Sequence, residues 1–241
     1  MTSSATPGRT SAATEEVRFA SGTETLSAFL AIPEGTGPFP GLVVIHEIYG
    51  LNQNIQEIAQ RLAAEGYLAL AVDLFSERNR TACMFRFMAG IFTNSLDHQG
   101  ICDLQRALDF LEARPDVAQG QLGAIGFCMG GSFAVALGCK DRRLAAIAPF
   151  YGMNPRPAAA LARLCPVVGS YPGLDFTAKA GRQLDASLDQ YGIAHDIRIY
   201  EGAKHSFFND HGPAYQVEAS QDAWKRVLDF FADHVKGQAN R

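Results

Sequence analysis

Apolar residues occur along the chain in two alternating patterns, short continuous runs and longer stretches with helical spacing. The short runs are rich in β-branched and other aliphatic residues, which is typical of strands buried on both faces of a sheet. They predict strands at residues 42–45, 68–72, 121–127, 144–148, 167–169 and 197–200. Two further apolar segments, 17–20 and 26–32, flank a turn at Ser21-Gly22 and predict an N-terminal β-hairpin.

The longer stretches predict amphipathic helices. In 55–65, for example, Ile55, Ile58 and Leu62 follow the helical period, and Gly66 ends the element. The predicted helices are 55–65, 96–113, 130–138, 176–191 and 215–235. Strands that alternate with helices indicate right-handed β-α-β crossovers and a mainly parallel central sheet flanked by helices. This order, after a hairpin, resembles the α/β-hydrolase fold, so we predict an α/β fold of that type.

The pattern also predicts the domain organisation. Residues 1–14 are rich in Ser, Thr and Ala and predict a flexible tail, with a weak organelle-targeting peptide as the alternative. Residues 15–241 contain no repeat or linker and predict a single α/β-hydrolase domain. The apolar residues within 78–94 fit either a cap over the site or ordinary core.

Composition restricts the class of protein. The formal net charge is −4, which gives no basic footprint for nucleic acid. No apolar run approaches the ~20 residues that span a bilayer, so we expect no membrane segment. The five cysteines include no C-x-x-C pair, which favours reduced thiols in a cytoplasmic protein. We expect a small-molecule substrate and a monomer or small homo-oligomer.

The clearest chemical motif is the stretch from Gly126 to Gly131, which lies between a predicted strand and a predicted helix. It has the form of a G-x-S-x-G nucleophile elbow with Cys128 in place of serine. The glycines allow the strand and the helix to approach closely on either side of a strained turn. The helix N-terminus also favours a thiolate at Cys128. The alternative is that Cys128 is a small core residue.

A nucleophile needs a base, and the base needs an orienting carboxylate. Asp175 and His205 each follow a later predicted strand, in the order nucleophile, acid, base. All three therefore belong to the carboxyl edge of the sheet. Asp175 fits a helix cap as an alternative, and His211 is the rival for the base.

The stretch His46-Glu47-Ile48-Tyr49-Gly50 follows the strand 42–45, where this fold contributes an oxyanion-hole donor. We assign the two donors to the backbone N–H groups of Ile48 and Met129. Position 50 is glycine, so the stretch is not a zinc-binding H-E-x-x-H motif. We expect no metal or organic cofactor in the reaction.

These stretches, together with Gly173-Leu174-Asp175 and the segment 202–207, resemble the dienelactone hydrolases (carboxymethylenebutenolidases) over nearly the whole chain. The resemblance implies hydrolysis of a lactone or ester through an acyl-enzyme on Cys128. It also implies that Glu47 contacts the thiol and takes part in its activation. A glutamate that only hydrogen-bonds its own loop is the alternative.

The resemblance further implies two arginines that bind a substrate carboxylate. Arg78 is the candidate for the first, displaced by one position, and the second is replaced by Asn209. A neutral amide cannot replace a guanidinium, so we expect a less anionic or more apolar substrate. Tyr49, Tyr151 and Phe207 are candidates for the pocket lining, or alternatively for core.

The predicted function is therefore hydrolysis of a lactone or carboxylic ester by a Cys128-Asp175-His205 triad. A general carboxylesterase or thioesterase on the same triad is the first alternative. A catalytically silent protein that binds a ligand or senses oxidation at the thiol is the second.

Overall fold

The structure is a computed structural model that describes residues 12–76, 78–93 and 96–237. Most of the predicted tail lies outside the described residues. Its last two residues were predicted wrongly, because the first strand begins at Ala13 and pairs with Ile32 of the neighbouring strand.

Eight strands form one sheet. They are β1 (Ala13–Ser21), β2 (Glu24–Ile32), β3 (Phe39–Ile45), β4 (Leu68–Asp73), β5 (Val117–Phe127), β6 (Leu144–Phe150), β7 (Val167–Pro172) and β8 (His195–Tyr200). Their order is β1-β2-β4-β3-β5-β6-β7-β8. The hairpin strands pair antiparallel, β2 joins β4 antiparallel, and all other pairs are parallel. The predicted hairpin and mainly parallel sheet are confirmed.

Helices connect the parallel strands. The described residues form the α-helices α1 (Gln53–Ala64), α2 (Arg80–Thr93), α3 (Gln99–Glu112), α4 (Met129–Lys140), α5 (Thr177–Tyr191) and α6 (Val217–His234), and a short 3-10 helix spans Ala158–Arg163. Helix α3 begins three residues later than predicted. The reason is local, because the ring nitrogen Nδ1 of His98 accepts the N–H of Gly100 and caps the helix there.

Strands β3 to β7 are mostly buried on both faces, which explains their continuous apolar runs. Successive side chains point to opposite faces, so Leu42 and Val44 pack in one cluster and Val43 and Ile45 in the other. The first cluster is completed by α1 and α6, and the second by α2, α3, α4 and α5. The carboxyl ends of the central strands are left free to carry loops.

Helix α2 forms most of the segment 78–94, of which residue 94 lies outside the described part, and it contributes to the core. One face of the helix belongs to the core, with Cys83, Phe87 and Ile91 buried. The opposite face exposes Phe85 and Met88 to solvent. The segment is therefore core on its inner side and an apolar surface on its outer side.

Arg78 was predicted to bind a substrate carboxylate, and the structure contradicts this. Its guanidinium is mostly buried and bonds the fully buried carboxylate of Asp103, with Nη1 2.5 Å from Oδ2 and Nη2 3.2 Å from Oδ1. It also pairs with Glu24 of the hairpin. Ser21 and Gln99 donate to Asp103 as well. These contacts join the hairpin to α3. Both terminal nitrogens of Arg78 are engaged in them, so neither is free to bind a substrate carboxylate.

In the described parts of the chain no helix has the length and apolar character needed to cross a membrane. All five cysteines are free.

The buried pair gives a stability prediction. Asp103→Ala leaves the Arg78 guanidinium buried without its carboxylate, and we expect the free energy of unfolding to fall by about 3–5 kcal/mol. Urea unfolding followed by circular dichroism measures this. The matched control is Asp229→Ala, which breaks an exposed pair with Lys225 and should cost no more than about 1 kcal/mol. An unchanged urea midpoint for Asp103→Ala would contradict the assignment of Arg78 to the fold.

Candidate active site

Cys128 lies on a sharp turn between the end of β5 and the start of α4. Its backbone has φ +55° and ψ −113°, a conformation that L-residues rarely adopt. The turn is held by hydrogen bonds, since the N–H of Cys128 donates to the carbonyl of Phe150 (3.1 Å) and its own carbonyl accepts from Ser132 (3.1 Å). The strain is typical of functional positions and costs roughly 1–3 kcal/mol.

The glycines around Cys128 are required by close backbone contacts. A Cβ at Gly126 would overlap the carbonyl of Gly130, and one at Gly130 would overlap the carbonyl of Ile45 in β3. A Cβ at Gly131 would meet the carbonyl of Phe150 in β6. The first turn of α4 therefore sits directly against the strand ends, as the elbow motif predicts.

His205 and Asp175 are brought together at the same edge of the sheet. The distance from His205 Nδ1 to Asp175 Oδ2 is 2.9 Å, and the imidazole is 30% exposed. Asp175 also caps α5, because its Oδ1 accepts the N–H (2.7 Å) and the hydroxyl (2.6 Å) of Thr177. The two interpretations of Asp175 are thus compatible, since each carboxylate oxygen has a separate task.

His211 is not part of this group. Its Nε2 lies 2.8 Å from Glu57 of α1, on an exposed surface. Of the two histidines, it is His205 that pairs with Asp175.

The thiol of Cys128 lies beside the carboxylate of Glu47. Burial raises the pKa of Cys128 to about 12, and the negative charges of Glu47 and then Asp175 act in the same direction. The N–H of Met129 bonds the sulfur and partly opposes the rise in pKa. Among the described side chains, the hydrogen-bond partner of the His205 ring is Asp175, and no hydrogen bond joins His205 to the Cys128 sulfur. With a pKa of about 12, the Cys128 thiol is expected to be protonated at neutral pH.

Glu47 is almost completely buried, and neutral groups hold it. The hydroxyl of Ser206 donates to Oε1 (2.8 Å), and the amide of Asn209 reaches Oε2 (3.4 Å). The hydroxyl of Tyr151 is also hydrogen-bonded to this carboxylate. Tyr151 and Ser206 both have positive φ, +41° and +62°, so strained backbone surrounds the carboxylate as well as the thiol.

Hydrogen bonds of the His46 ring stabilise the loop that carries Glu47. Nε2 of His46 accepts the N–H of Leu74 (3.1 Å), so the other ring nitrogen, Nδ1, carries the hydrogen and donates to the carbonyl of Glu47 (2.5 Å). Burial lowers the pKa of His46, which keeps it neutral. A turn closed by the N–H of Gly50 then brings Ile48 to the site edge.

The predicted pocket residues have different environments. Tyr49 is exposed at the rim, and Tyr151 is buried with its ring 5.0 Å from that of His205. For Phe207 the structure supports the alternative of core, because the residue is fully buried and packs on Phe150, Tyr151 and Tyr200. Its side chain belongs to the core beneath the site.

Two residues at the rim were missed by sequence reasoning. Phe176 is 71% exposed, yet its ring stacks on His205 at 5.9 Å and an interplanar angle of 12°. Arg80 donates to the carbonyl of Ile48 (3.3 Å) and lies over the ring of Phe75. An exposed apolar residue directly after Asp175 was a usable signal for Phe176. Arg80 gave no such signal, because its position depends on where α2 begins.

The charge beside the thiol leads to a prediction. Glu47→Gln removes a negative charge that disfavours the thiolate, so the pKa of Cys128 should fall and alkylation should become several-fold faster at pH 8. Iodoacetamide labelling from pH 7 to 10, with the modified cysteine identified by mass spectrometry, measures this. Glu112→Gln, an exposed carboxylate at the end of α3, serves as the control. Equal labelling curves for Glu47→Gln and the parent would contradict the electrostatic coupling.

Comparisons with known proteins agree with this architecture. The model of the "Dienelactone hydrolase family" matches residues 26–235. A "Putative carboxymethylenebutenolidase" of Saccharolobus solfataricus is 34% identical, with 90% of this chain and 97% of that protein covered. One of the same name from Synechocystis is 29% identical, over 88% of this chain and 93% of that protein. The crystal structure of a "Putative Dienelactone Hydrolase" of Klebsiella pneumoniae superposes with a TM-score of 0.80 at 27% identity, covering 91% of this chain and 98% of that one. The chain is a hydrolase that belongs to the dienelactone hydrolase family.

Proposed function

We propose that this hydrolase cleaves a carboxylic ester or lactone through an acyl-enzyme on Cys128, with His205 as the base and Asp175 as its orienting partner. The observation that supports this best is the 2.9 Å His205–Asp175 bond at the sheet edge where the strained turn presents Cys128. With Nδ1–H donated to Asp175, Nε2 of His205 is the nitrogen that can accept a proton.

The reaction begins with transfer of the Cys128 proton to Nε2 of His205. The thiolate attacks the carbonyl carbon, the C–O bond to the leaving alcohol breaks, and the imidazolium returns the proton to that oxygen. A water molecule, deprotonated by His205, then attacks the thioester. The resulting tetrahedral intermediate collapses with cleavage of the C–S bond, and the imidazolium returns its proton to the sulfur. This releases the carboxylic acid and regenerates the thiol. In a lactone, acid and alcohol remain in one molecule.

The first step requires the sulfur to move. In the resting arrangement the thiol lies by Glu47 with a raised pKa, so it must rotate about its Cα–Cβ bond to reach His205. We propose that substrate entering between Glu47 and the sulfur favours this rotation. The enzyme then holds a reactive thiolate only when an ester is present, which limits oxidation of the thiol at rest.

The developing negative charge on the carbonyl oxygen needs hydrogen-bond donors. The N–H groups of Ile48 and Met129 are the candidates, on either side of the thiol. In the described turns and loops the N–H of Ile48 does not donate to another backbone group. The N–H of Met129 bonds the sulfur at rest, so it becomes available to the oxyanion only when the thiol moves. Removal of one such donor typically lowers turnover by roughly 10²–10³.

The surroundings of the site favour a neutral, apolar acyl or alkyl group. Tyr49, Leu174 and Phe176 are exposed apolar side chains on the loops around His205 and Cys128. Asn209, which contacts Glu47, supplies no charge for a carboxylate. Arg78 is committed to Asp103 and Glu24, which removes the expected arginine from substrate binding.

The nucleophile is tested by Cys128→Ala. We expect hydrolysis of 4-nitrophenyl esters to fall by a factor of at least about 10³, because the covalent route is lost while binding remains. Circular dichroism and thermal unfolding verify that the variant is folded. The control is Cys102→Ala, which removes an exposed thiol on α3 and should leave turnover unchanged. With a slowly deacylating ester, intact-mass analysis of the parent should show one acyl group, on Cys128. Undiminished turnover, or acylation elsewhere, would refute the mechanism.

The substrate class is tested by Asn209→Arg. A guanidinium here can form charge-assisted bonds with a substrate carboxylate, each worth about 1.5–3 kcal/mol. We therefore expect the ratio of kcat/KM for an ester with a free carboxylate to kcat/KM for its methyl-ester analogue to rise about 10–100-fold, because any effect of the guanidinium on Glu47 acts on both substrates. Asn209→Gln, which adds length without charge, should favour neither substrate. A parent enzyme that already prefers the carboxylate would contradict the proposed apolar specificity.

A further inference from the structure

Three potential metal ligands converge on the surface beyond the catalytic residues. Glu57 comes from α1, and Asp210 and His211 from the loop between β8 and α6. His211 Nε2 is 2.8 Å from Glu57 Oε2 and 3.8 Å from Asp210 Oδ1, and all three ligand atoms lie within 4.8 Å of one another. Within the described residues this is the one group of three or more His, Cys, Asp and Glu side chains that converges so closely.

The spacing fits a small divalent ion. Ligand atoms at about 2.0–2.2 Å from a tetrahedral metal lie about 3.3–3.6 Å from one another. The two distances from His211 Nε2 lie on either side of that range, so an ion needs only small side-chain shifts to enter. Two carboxylates balance the charge of a divalent cation. The imidazole favours Zn²⁺, Ni²⁺ or Cu²⁺ over Mg²⁺ and Ca²⁺.

Amide side chains already orient the two carboxylates. Gln53 donates to Oε1 of Glu57 (2.7 Å), which leaves Oε2 directed at His211. Asn54, nearly fully buried in α1, donates to Oδ1 of Asp210 (2.9 Å). Such outer contacts are the usual supports of metal ligands. By comparison, His195 lies near Asp185 (3.3 Å) and Asp189 (3.7 Å), but these atoms do not form a mutually close group.

We propose that Glu57, Asp210 and His211 bind one divalent transition-metal ion, with Zn²⁺ as the probe and water at the remaining coordination positions. The ion joins α1 to the loop that carries His205. The connection to the site is short, because the N–H of His211 donates to Oδ1 of Asn209 (3.0 Å) and the amide of Asn209 reaches Glu47. Binding therefore restrains the loop that supplies both the histidine and the contacts of Glu47.

The test is titration with Zn²⁺ by calorimetry, using the full chain with Cys128→Ser so that the active-site thiol does not compete. We expect saturable binding of one equivalent. In the same background, His211→Ala and Glu57→Gln should each weaken binding at least tenfold. His195→Gln, which alters the comparison histidine, should leave it unchanged. Because the background lacks the thiol, the result does not depend on the catalytic proposal.

Two further measurements identify the ligands. Co²⁺ bound by nitrogen and oxygen should give visible d–d bands without a thiolate charge-transfer band. Saturating Zn²⁺ should also raise Tm by at least about 2–4 °C, and this rise should disappear in His211→Ala. The proposal is overturned if Zn²⁺ does not bind saturably, if His211→Ala binds equally well, or if Co²⁺ shows thiolate ligation.

Discussion

The backbone contact between the first turn of α4 and the ends of β3, β5 and β6 constrains the rest of the site. Gly126, Gly130 and Gly131 meet neighbouring carbonyl groups so closely that none of them has room for a Cβ. The chain can enter the helix only through the positive φ of Cys128. Eleven consecutive residues of α4, Met129 to Cys139, are buried, and their packing offsets the strain at the turn. The sulfur is consequently held by the most deeply buried helix of the fold.

The second constraint is a buried carboxylate beside that sulfur. A negative charge close to a buried thiol opposes its ionisation. Glu47 is in this position, and in the described parts of the chain no arginine is among its hydrogen-bond partners. Its partners are two hydroxyl groups and one amide, all neutral. The arrangement fits a nucleophile that is inert at rest and becomes reactive when a substrate alters the contact between Glu47 and the thiol.

The loop between β8 and α6 contacts the active site and the surface of α1. It supplies His205, then Ser206 and Asn209 to Glu47, and finally Asp210 and His211 to the surface of α1. Phe207 and Phe208 anchor it, since both are buried among aromatic residues of the core. Any ligand or substitution that displaces this loop is therefore expected to act both on His205, the proposed base, and on Glu47.

Local pattern was sufficient to predict the order of the elements. Continuous apolar runs reflect burial on two faces of a sheet, and helical spacing of apolar residues reflects burial on one face of a helix. The hairpin, the parallel strands and five of the six helices in the described residues were therefore recognisable in advance, whereas α2 was not. The motif around Cys128 was equally clear, because glycines are required wherever backbones meet this closely. The positions of Asp175 and His205 after successive strands placed them on one sheet edge, where the structure brings the two together.

Tertiary structure decided what depends on contacts between distant segments. Arg78 and Arg80 are two residues apart in the chain, yet their partners differ. Arg78 is buried against Asp103 of α3, whereas Arg80 donates to the carbonyl of Ile48. Phe207 is buried in the core, whereas the exposed ring of Phe176 stacks on His205. The difference arises because burial of an aromatic ring depends on which elements pack over it. The sequence by itself determined the sheet, the turn and the chemical types at its edge. Packing across the fold decided which charged side chains form ion pairs, as Arg78 does with Asp103. Such pairs depend on distances between residues that are far apart in the chain, and a local sequence pattern does not give those distances.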